Sequence, residues 1–382
     1  MSITNEQYSI HIKQNKVTTN DDDRRAKRII QKMQAFGLFR KDMIGATYER
    51  ATTCRDLEQA FRLVHDVYVD AGYIRPQAHG IRMRHFECSP DTATFTAQAA
   101  SHGTIGVMSV VMDSDDFGLP SDHIYKDEID KLRANGSTIC EFSNQAVLKE
   151  FRRKGPSTEL MRCAFAHAYA KGVTDIVFSV SPNVVSFYEM MHFQRFGETR
   201  NYSTTLNDPV VLIHVPDIQT RGAYSERSDD PAYRFFMKFF YQENPYIKRF
   251  HSWEILNQRM FNDQFEFATL LCKCPDLVYD SRYENGLEKR LGEIYSLTKD
   301  AISVSSNTQS SVHDKEQTSL HRRPFRTIMS HSIRSNVGHT QRRIIPSMIH
   351  PRENGRVAGY NASNKLIHDS PSPNDIPNLI DG

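Results

Sequence analysis

Residues 146–157 read AVLKEFRRKGPS, from Ala146 to Ser157, and join the end of a strand to the start of a helix. An apolar run ends at Leu148, a basic turn follows, and Gly155 and Pro156 open a helix. Proline suits a first helical turn, where its missing N–H is not needed. A turn of this kind presents unpaired backbone N–H groups at the positive end of a helix. Arg152, Arg153 and Lys154 add fixed positive charge, so the turn suits a phosphate. The plainer alternative is a solvated basic turn.

Downstream, Leu160, Met161, Ala164, Phe165, Ala168 and Tyr169 fall on one helical face, and Lys171 and Gly172 end the helix. A strand at 176–180, a short helix at 184–191, a turn at Gly197 and a strand at 210–215 follow. Upstream of the basic turn lies a strand at 138–148. Before it, strands at 92–100 and 104–112 are joined by Ser101, His102 and Gly103, a hairpin signal. The second of these is apolar on both faces, which places it in the middle of a covered sheet. The segment 113–136 reads as a polar insertion with a helix at 126–132. Nearer the N-terminus, a short strand at 48–52 precedes Thr53 and Asp56, which make a capping-box-like helix start. Leu57, Ala60, Phe61, Val64, Val67 and Tyr68 keep helical spacing until Gly72, and 76–90 is a loop rich in His, Arg and Met. The order of elements is mixed α/β.

Two landmarks give this pattern a likeness. The sequence Arg152-x-x-Gly155-x-Ser157 resembles the pyrophosphate loop of GNAT acyltransferases, with Ser in place of the last Gly or Ala. FYEMMHF at 187–193 resembles that family's second signature, with His192 where Gly is usual. The resemblance covers about 170 residues. It implies a GNAT acyl-CoA N-acyltransferase fold, a central mixed sheet flanked by helices. Three further pieces, at 61–73, at 118–133 and at 140–147, resemble the N-acyl amino acid synthases and, more distantly, the acyl-homoserine-lactone synthases. The lactone synthases carry an acidic triplet that 84–91 lacks, and Arg where this chain has Asn144. The resemblance therefore implies an N-acyl amino acid synthase. Such an enzyme moves a fatty acyl group, long-chain in this family, from acyl carrier protein to the amine of an amino acid or similar small amine, by direct aminolysis. The alternatives are a coenzyme-A-dependent GNAT acetyltransferase acting on a small amine or protein, and a non-catalytic acyl or nucleotide sensor.

Aminolysis of a thioester needs an oriented acyl chain, a neutral amine, a place for the oxyanion and a proton for the thiolate. Glu141 is the candidate general base, because a carboxylate on a buried strand has a raised pKa; a structural Glu is the competing reading. By resemblance, Tyr188 is the acid for the thiolate, or else a core Tyr. By resemblance too, backbone N–H groups near Ala146 and Val147 meet the oxyanion and the pantetheine arm. Arg152, Arg153, Lys154, Gly155 and Ser157 take the phosphopantetheine phosphate, and with Lys149 form a basic lip for an acidic carrier protein. Arg62 and Tyr73 are the acceptor-binding candidates, with helix anchoring the simpler role for Arg62. No Ser-His-Asp or Cys-His arrangement supports an acyl-enzyme, and Cys163 falls on a core helix face. His79, His85, His102 and His192 read as loop or surface residues. No metal and no permanently bound cofactor are expected; the donor is a substrate, acyl carrier protein or acyl-CoA.

A formal net charge of +2 over 382 residues points to no nucleic-acid or membrane partner. The polar start has no signal-peptide character, and the longest apolar runs, such as 106–112, fall short of the roughly 20 residues a membrane helix needs. A cytoplasmic protein is expected. Six scattered cysteines fit free thiols, and Cys272 and Cys274 lack the second pair a zinc site needs. The expected organisation is an N-terminal arm (1–45), which carries a short amphipathic helix at 22–39, and the acyltransferase domain (46–218). A helical aromatic extension (219–296) and a poorly ordered basic tail (297–382) follow. The extension could lie over the acyl tunnel or serve in dimerisation, with Trp253 and Phe235 as core residues. In the tail, Gln341-Arg342-Arg343 and Tyr360-Asn361-Ala-Ser363 resemble a degenerate PilZ module, which would bind a cyclic dinucleotide.

Overall fold

The computed structural model describes residues 20–35, 45–224 and 228–250, together with 270, 273–274, 286–290 and 292. The expected tail, its PilZ-like segment, Trp253, Cys272 and most of 1–45 lie outside the described residues. The central sheet is built from β1 (Ala46–Arg50), β2 (Ala93–Ala99), β3 (Gly103–Met112), β4 (Ile139–Val147), β5 (Asp175–Val180), β6 (Gln194–Arg195), β7 (Arg200–Asn201) and β8 (Pro209–Val215). The strands run in the order β1-β2-β3-β4-β5-β8-β6, with β7 on β8. Neighbours are antiparallel except β4 and β5, which are parallel. The central mixed sheet flanked by helices that was expected from the sequence is the architecture observed.

β3 is buried on both faces from Ile105 to Val111, because helices cover the sheet on either side. On one face lies α2 (Cys54–Asp70), after a first helix α1 (Asn20–Ala35) that begins two residues earlier than expected. The Thr53 side chain caps α2 by accepting from Asp56 N, and Leu57, Ala60, Phe61 and Val64 turn inward. α3 (Asp122–Ala134) fills the insertion and begins four residues before the expected 126. Its first turn is kinked, since Tyr125 has non-helical backbone angles. On the other face lies α4 (Pro156–Ala170), which comes so close to β3 that a Cβ on Gly106 would stand 3.0 Å from Leu160 Cδ1. β1 also starts earlier than the expected 48.

After α5 (Val185–Met190) and β8, the chain continues through α6 (Ile218–Tyr224), α7 (Pro231–Met237), a π-helical turn (Lys238–Gln242) and α8 (Pro245–Phe250). These pieces are packed into the main core: Phe236, Met237, Phe240 and Phe250 join the same apolar cluster as Leu160 and Ile176. Among the described residues no helix is long and apolar enough to cross a membrane.

Candidate active site

β4 and β5 pair only over Ile139–Glu141 against Asp175–Val177. Beyond that, β4 stays with β3 and β5 with β8, so the two parallel strands part. A bulge sharpens the parting. Val107 pairs with Ala146 and Ser109 with Ser143, which leaves Asn144 and Gln145 opposite Met108. Asn144 adopts φ 54°, in the left-handed region where Asn is tolerated better than most residues. A cavity of about 390 Å3 opens in the gap, lined by Glu141 and by the four β4 residues from Phe142 to Gln145.

Glu141 is only 2% exposed yet lines this cavity. Its Oε2 accepts from Ser121 N at 2.8 Å and its Oε1 from Ser121 Oγ at 2.8 Å. Burial pushes its pKa up to about 7; the two Ser121 bonds and the Arg84 charge oppose the shift without cancelling it. Ser121 Oγ also lies 2.7 Å from Ser179 Oγ on β5, and Ser179 lines the cavity. When Glu141 is ionised it can only accept, so the Ser121 hydroxyl donates to it and Ser179 donates to Ser121. The hydroxyls form a directed chain from the cavity to the carboxylate. Ser121 is held by an anchored loop: Arg133 bonds Asp122 at 2.7 and 2.8 Å and Asp113 at 2.7 and 2.8 Å.

One end of the cavity is polar and aromatic, with Tyr68, Tyr73, Arg82, Arg84 and Tyr202. Arg84 is neutralised by the fully buried Glu87, with Nη2 to Oε1 at 2.5 Å, and also donates to Ser143 Oγ at 3.0 Å. Asn144 Nδ2 donates to the same Glu87 Oε1 at 2.9 Å. Burial opposes the charge on Arg84, but Glu87 outweighs it and holds the guanidinium above its ordinary pKa. Among the described residues Arg82 forms no such ion pair. Its carbon Cζ lies 5.2 Å from the Tyr68 ring centroid, and its Nε is buried without a hydrogen bond. Burial, and then the charge of Arg84, push its pKa down. Burial likewise pushes Tyr73 up to about 12. The other end of the cavity is apolar: Met161 and Phe165 from α4, Phe178 from β5, Tyr188 from α5, Phe193, and Phe240 from the C-terminal extension.

Of the residues singled out from the sequence, Glu141, Tyr188 and Tyr73 meet in this one cavity. Tyr188 is 3% exposed and packs 4.9 Å from the Phe178 ring. Ala146 and Val147 are fully buried at the far end of β4 and are not among the lining residues; Phe142 to Gln145 take that place. Arg62 is exposed outside the cavity, where it bonds Glu58 Oε1 at 2.8 Å and the His79 carbonyl at 2.9 Å. The basic turn stands at the N-terminus of α4 as expected. Arg153 (φ 58°) and Gly155 (φ 106°) are left-handed, Arg152 Nε holds the Val147 carbonyl at 3.1 Å, and Gly155 and Ser157 are buried. Lys149, Arg153 and Lys154 are exposed. His85, expected at a loop or surface, is instead buried, because the 76–90 loop folds into a short helical turn against the core.

Sequence reasoning missed Arg82, Arg84, Ser121, Ser179 and Tyr202. For the arginines a signal was present. Ile81-Arg82-Met83-Arg84 alternates, with Ile81 and Met83 buried and both arginines turned the other way toward the cavity.

A sheet that parts around a buried carboxylate, with a phosphate-type turn beside it, defines an acyltransferase of GNAT-like fold, and the chain is one. Residues 59–216 match the family model described as N-acyl amino acid synthase FeeM. No curated protein matches the chain. Among solved structures it is similar to FeeM, an N-acyl amino acid synthase from uncultured soil microbes. That match has 21% identity and a TM-score of 0.41, over 50% of this chain and 97% of that one. It is similar also to the CoA-dependent acyl-homoserine lactone synthase BjaI, with 15% identity and a TM-score of 0.36, over 52% of this chain and 89% of that one. A putative N-acetyltransferase from Lactobacillus plantarum aligns at 13% identity with a TM-score of 0.34, over 45% of this chain and 99% of that one.

Proposed function

We propose that the protein transfers a fatty acyl group from the phosphopantetheine thioester of acyl carrier protein to the amine of an amino acid, by direct aminolysis. The observation that carries this reading is Glu141: a carboxylate with a pKa of about 7, set between a cationic and an apolar end of one cavity. The acyl chain takes the apolar end. The acceptor takes the polar end, where Arg82, whose Nε has no hydrogen bond among the described residues, pairs with the acceptor carboxylate. The turn at Arg152 to Ser157 receives the phosphate. The exposed lip of Lys149, Arg153 and Lys154 suits the acidic surface of a carrier protein, which favours that donor over free coenzyme A.

The acceptor amine must lose a proton before or as it attacks. Ser179 Oγ takes that proton while passing its own to Ser121, which passes its own to Glu141 Oε1. The amine nitrogen then bonds the thioester carbonyl carbon. The edge of β4 from Phe142 to Gln145, which β5 has left, supplies backbone groups to the pantetheine arm and the oxyanion. The C–S bond breaks, and Tyr188 gives the leaving thiolate its proton.

The test is mass spectrometry of lipid extracts from cells that express the protein, beside a Glu141→Gln control. New N-acyl amino acids that need Glu141 are the expected result, and their masses name both substrates. Purified protein given acyl carrier protein and acyl-CoA donors in parallel identifies the donor. If neither extracts nor purified protein give any N-acyl product, the reading is wrong.

A further inference from the structure

The family match ends at residue 216, yet the cavity does not. Its apolar end is lined by Phe240, which lies 24 residues beyond the match and is 3% exposed. The Phe240 ring stands 5.5 Å from that of Phe165 and 6.4 Å from that of Phe193, and both of those line the cavity as well. Phe240 belongs to the π-helical turn Lys238–Gln242. The wider π turn buries both Phe239 and Phe240. Such turns are frequent at functional sites.

The turn is also held rigidly on both sides. Tyr241 donates to the Ile218 carbonyl at 2.7 Å. Arg162 of α4 donates to the Glu243 carbonyl and stacks 4.2 Å from the Phe239 ring centroid. Asn244 Nδ2 returns a bond to the Arg162 carbonyl at 3.0 Å. These contacts fix the stretch of backbone that carries the Phe240 ring.

We propose that Phe240 is the stop that sets acyl-chain length, so the C-terminal extension is part of the substrate site. This rests on the acyltransferase reading of the cavity. Within the allowed length each further buried methylene strengthens binding by about fourfold; at the stop the gain ends.

The experiment uses the full chain and S-acyl pantetheine thioesters of graded even length, from butanoyl to hexadecanoyl, with affinity measured by thermal shift. Wild type should gain affinity with length and then lose it sharply at one length. Phe240→Ala should move that cutoff longer by roughly two to four carbons, and Phe240→Trp should move it shorter. Phe240→Leu, which keeps the core filled, should move it longer by a smaller step and serves if the Ala variant fails to fold. An unchanged cutoff in folded Phe240 variants overturns the stop. Because binding is read without turnover, a graded cutoff with no N-acyl product would sink the catalytic reading alone. Product with a cutoff that ignores Phe240 would sink only the stop.

Discussion

The two ends of the cavity are built by different means. The polar end comes wholly from inside the family-matched segment. It rests on a buried ion pair, a strand bulge and a hydroxyl chain, in which each group is oriented by the next. The apolar end is a ring of aromatics from four elements, and one of them arrives from beyond the matched segment. Hydrogen bonds depend steeply on angle and distance, while apolar contact depends on filled volume. On the proposed function, the chemistry belongs to the polar end, and changing one ring at the apolar end should alter the chain length accepted.

The sharpest way to break this contrast is at Glu141. Glu141→Gln should lower kcat by about 10^2 to 10^4-fold, with acyl-donor KM little changed. In wild type, kcat/KM should rise with pH and level off above an apparent pKa of about 7, and this limb should vanish in the Gln variant. A pH profile that survives the substitution would remove Glu141 from the chemistry.

Arg84→Ala comes next, and it should act on stability. Glu87, 0% exposed, would lose its ion-pair partner, at a cost of roughly 3–5 kcal/mol by denaturant titration. An aromatic swap such as Phe193→Leu at the other end should cost less. Equal losses would mean that the ends do not differ.

Glu141 also makes stability depend on pH. Its folded pKa of about 7 lies above its ordinary 4.5, so the folded state holds the proton more tightly. The resulting stabilisation is fully present below pH 4.5 and is lost as pH rises through 7. It amounts to about 3 kcal/mol. Unfolding of wild type and Glu141→Gln at pH 5 and pH 8 should diverge in that direction; parallel curves would contradict the burial argument. Arg82→Gln, smaller again, should raise acceptor KM by roughly 10- to 100-fold with kcat less affected.

Much of the fold was legible in sequence, for identifiable reasons. β3 carries apolar residues on both faces, and only a central covered strand satisfies that. Gly155 and Pro156 fix the start of α4 through backbone angles alone. Glu141 was legible as a carboxylate on a strand expected to be buried, and it is 2% exposed. What was not legible depends on contacts between distant residues. The start of α3 was placed late because its first turn kinks at Tyr125, and Arg133 holds its Asp122 from eleven residues away. Arg62 was a candidate from the sequence and Arg82 was not. Only the packed structure shows one occupied by Glu58 and the other turned into the cavity.

Ser179 shows the same limit on the smallest scale. Ser121 and Ser179 are 58 residues apart, and nothing in either local sequence announces their 2.7 Å contact. Ser179→Ala leaves both Ser121 bonds to Glu141 in place, so the carboxylate pKa and the pH at which activity rises should not move. Only the outer step of the chain is lost, and kcat should fall about 10-fold with donor KM unchanged. Ser179→Thr, which keeps the hydroxyl, should restore most of it. Ser121→Ala should behave differently: removing a bond to the charged form should move the activity limb to higher pH. If Ser179→Ala instead shifts the limb and leaves kcat alone, Ser179 only tunes the carboxylate, and the proton reaches Glu141 directly from the cavity.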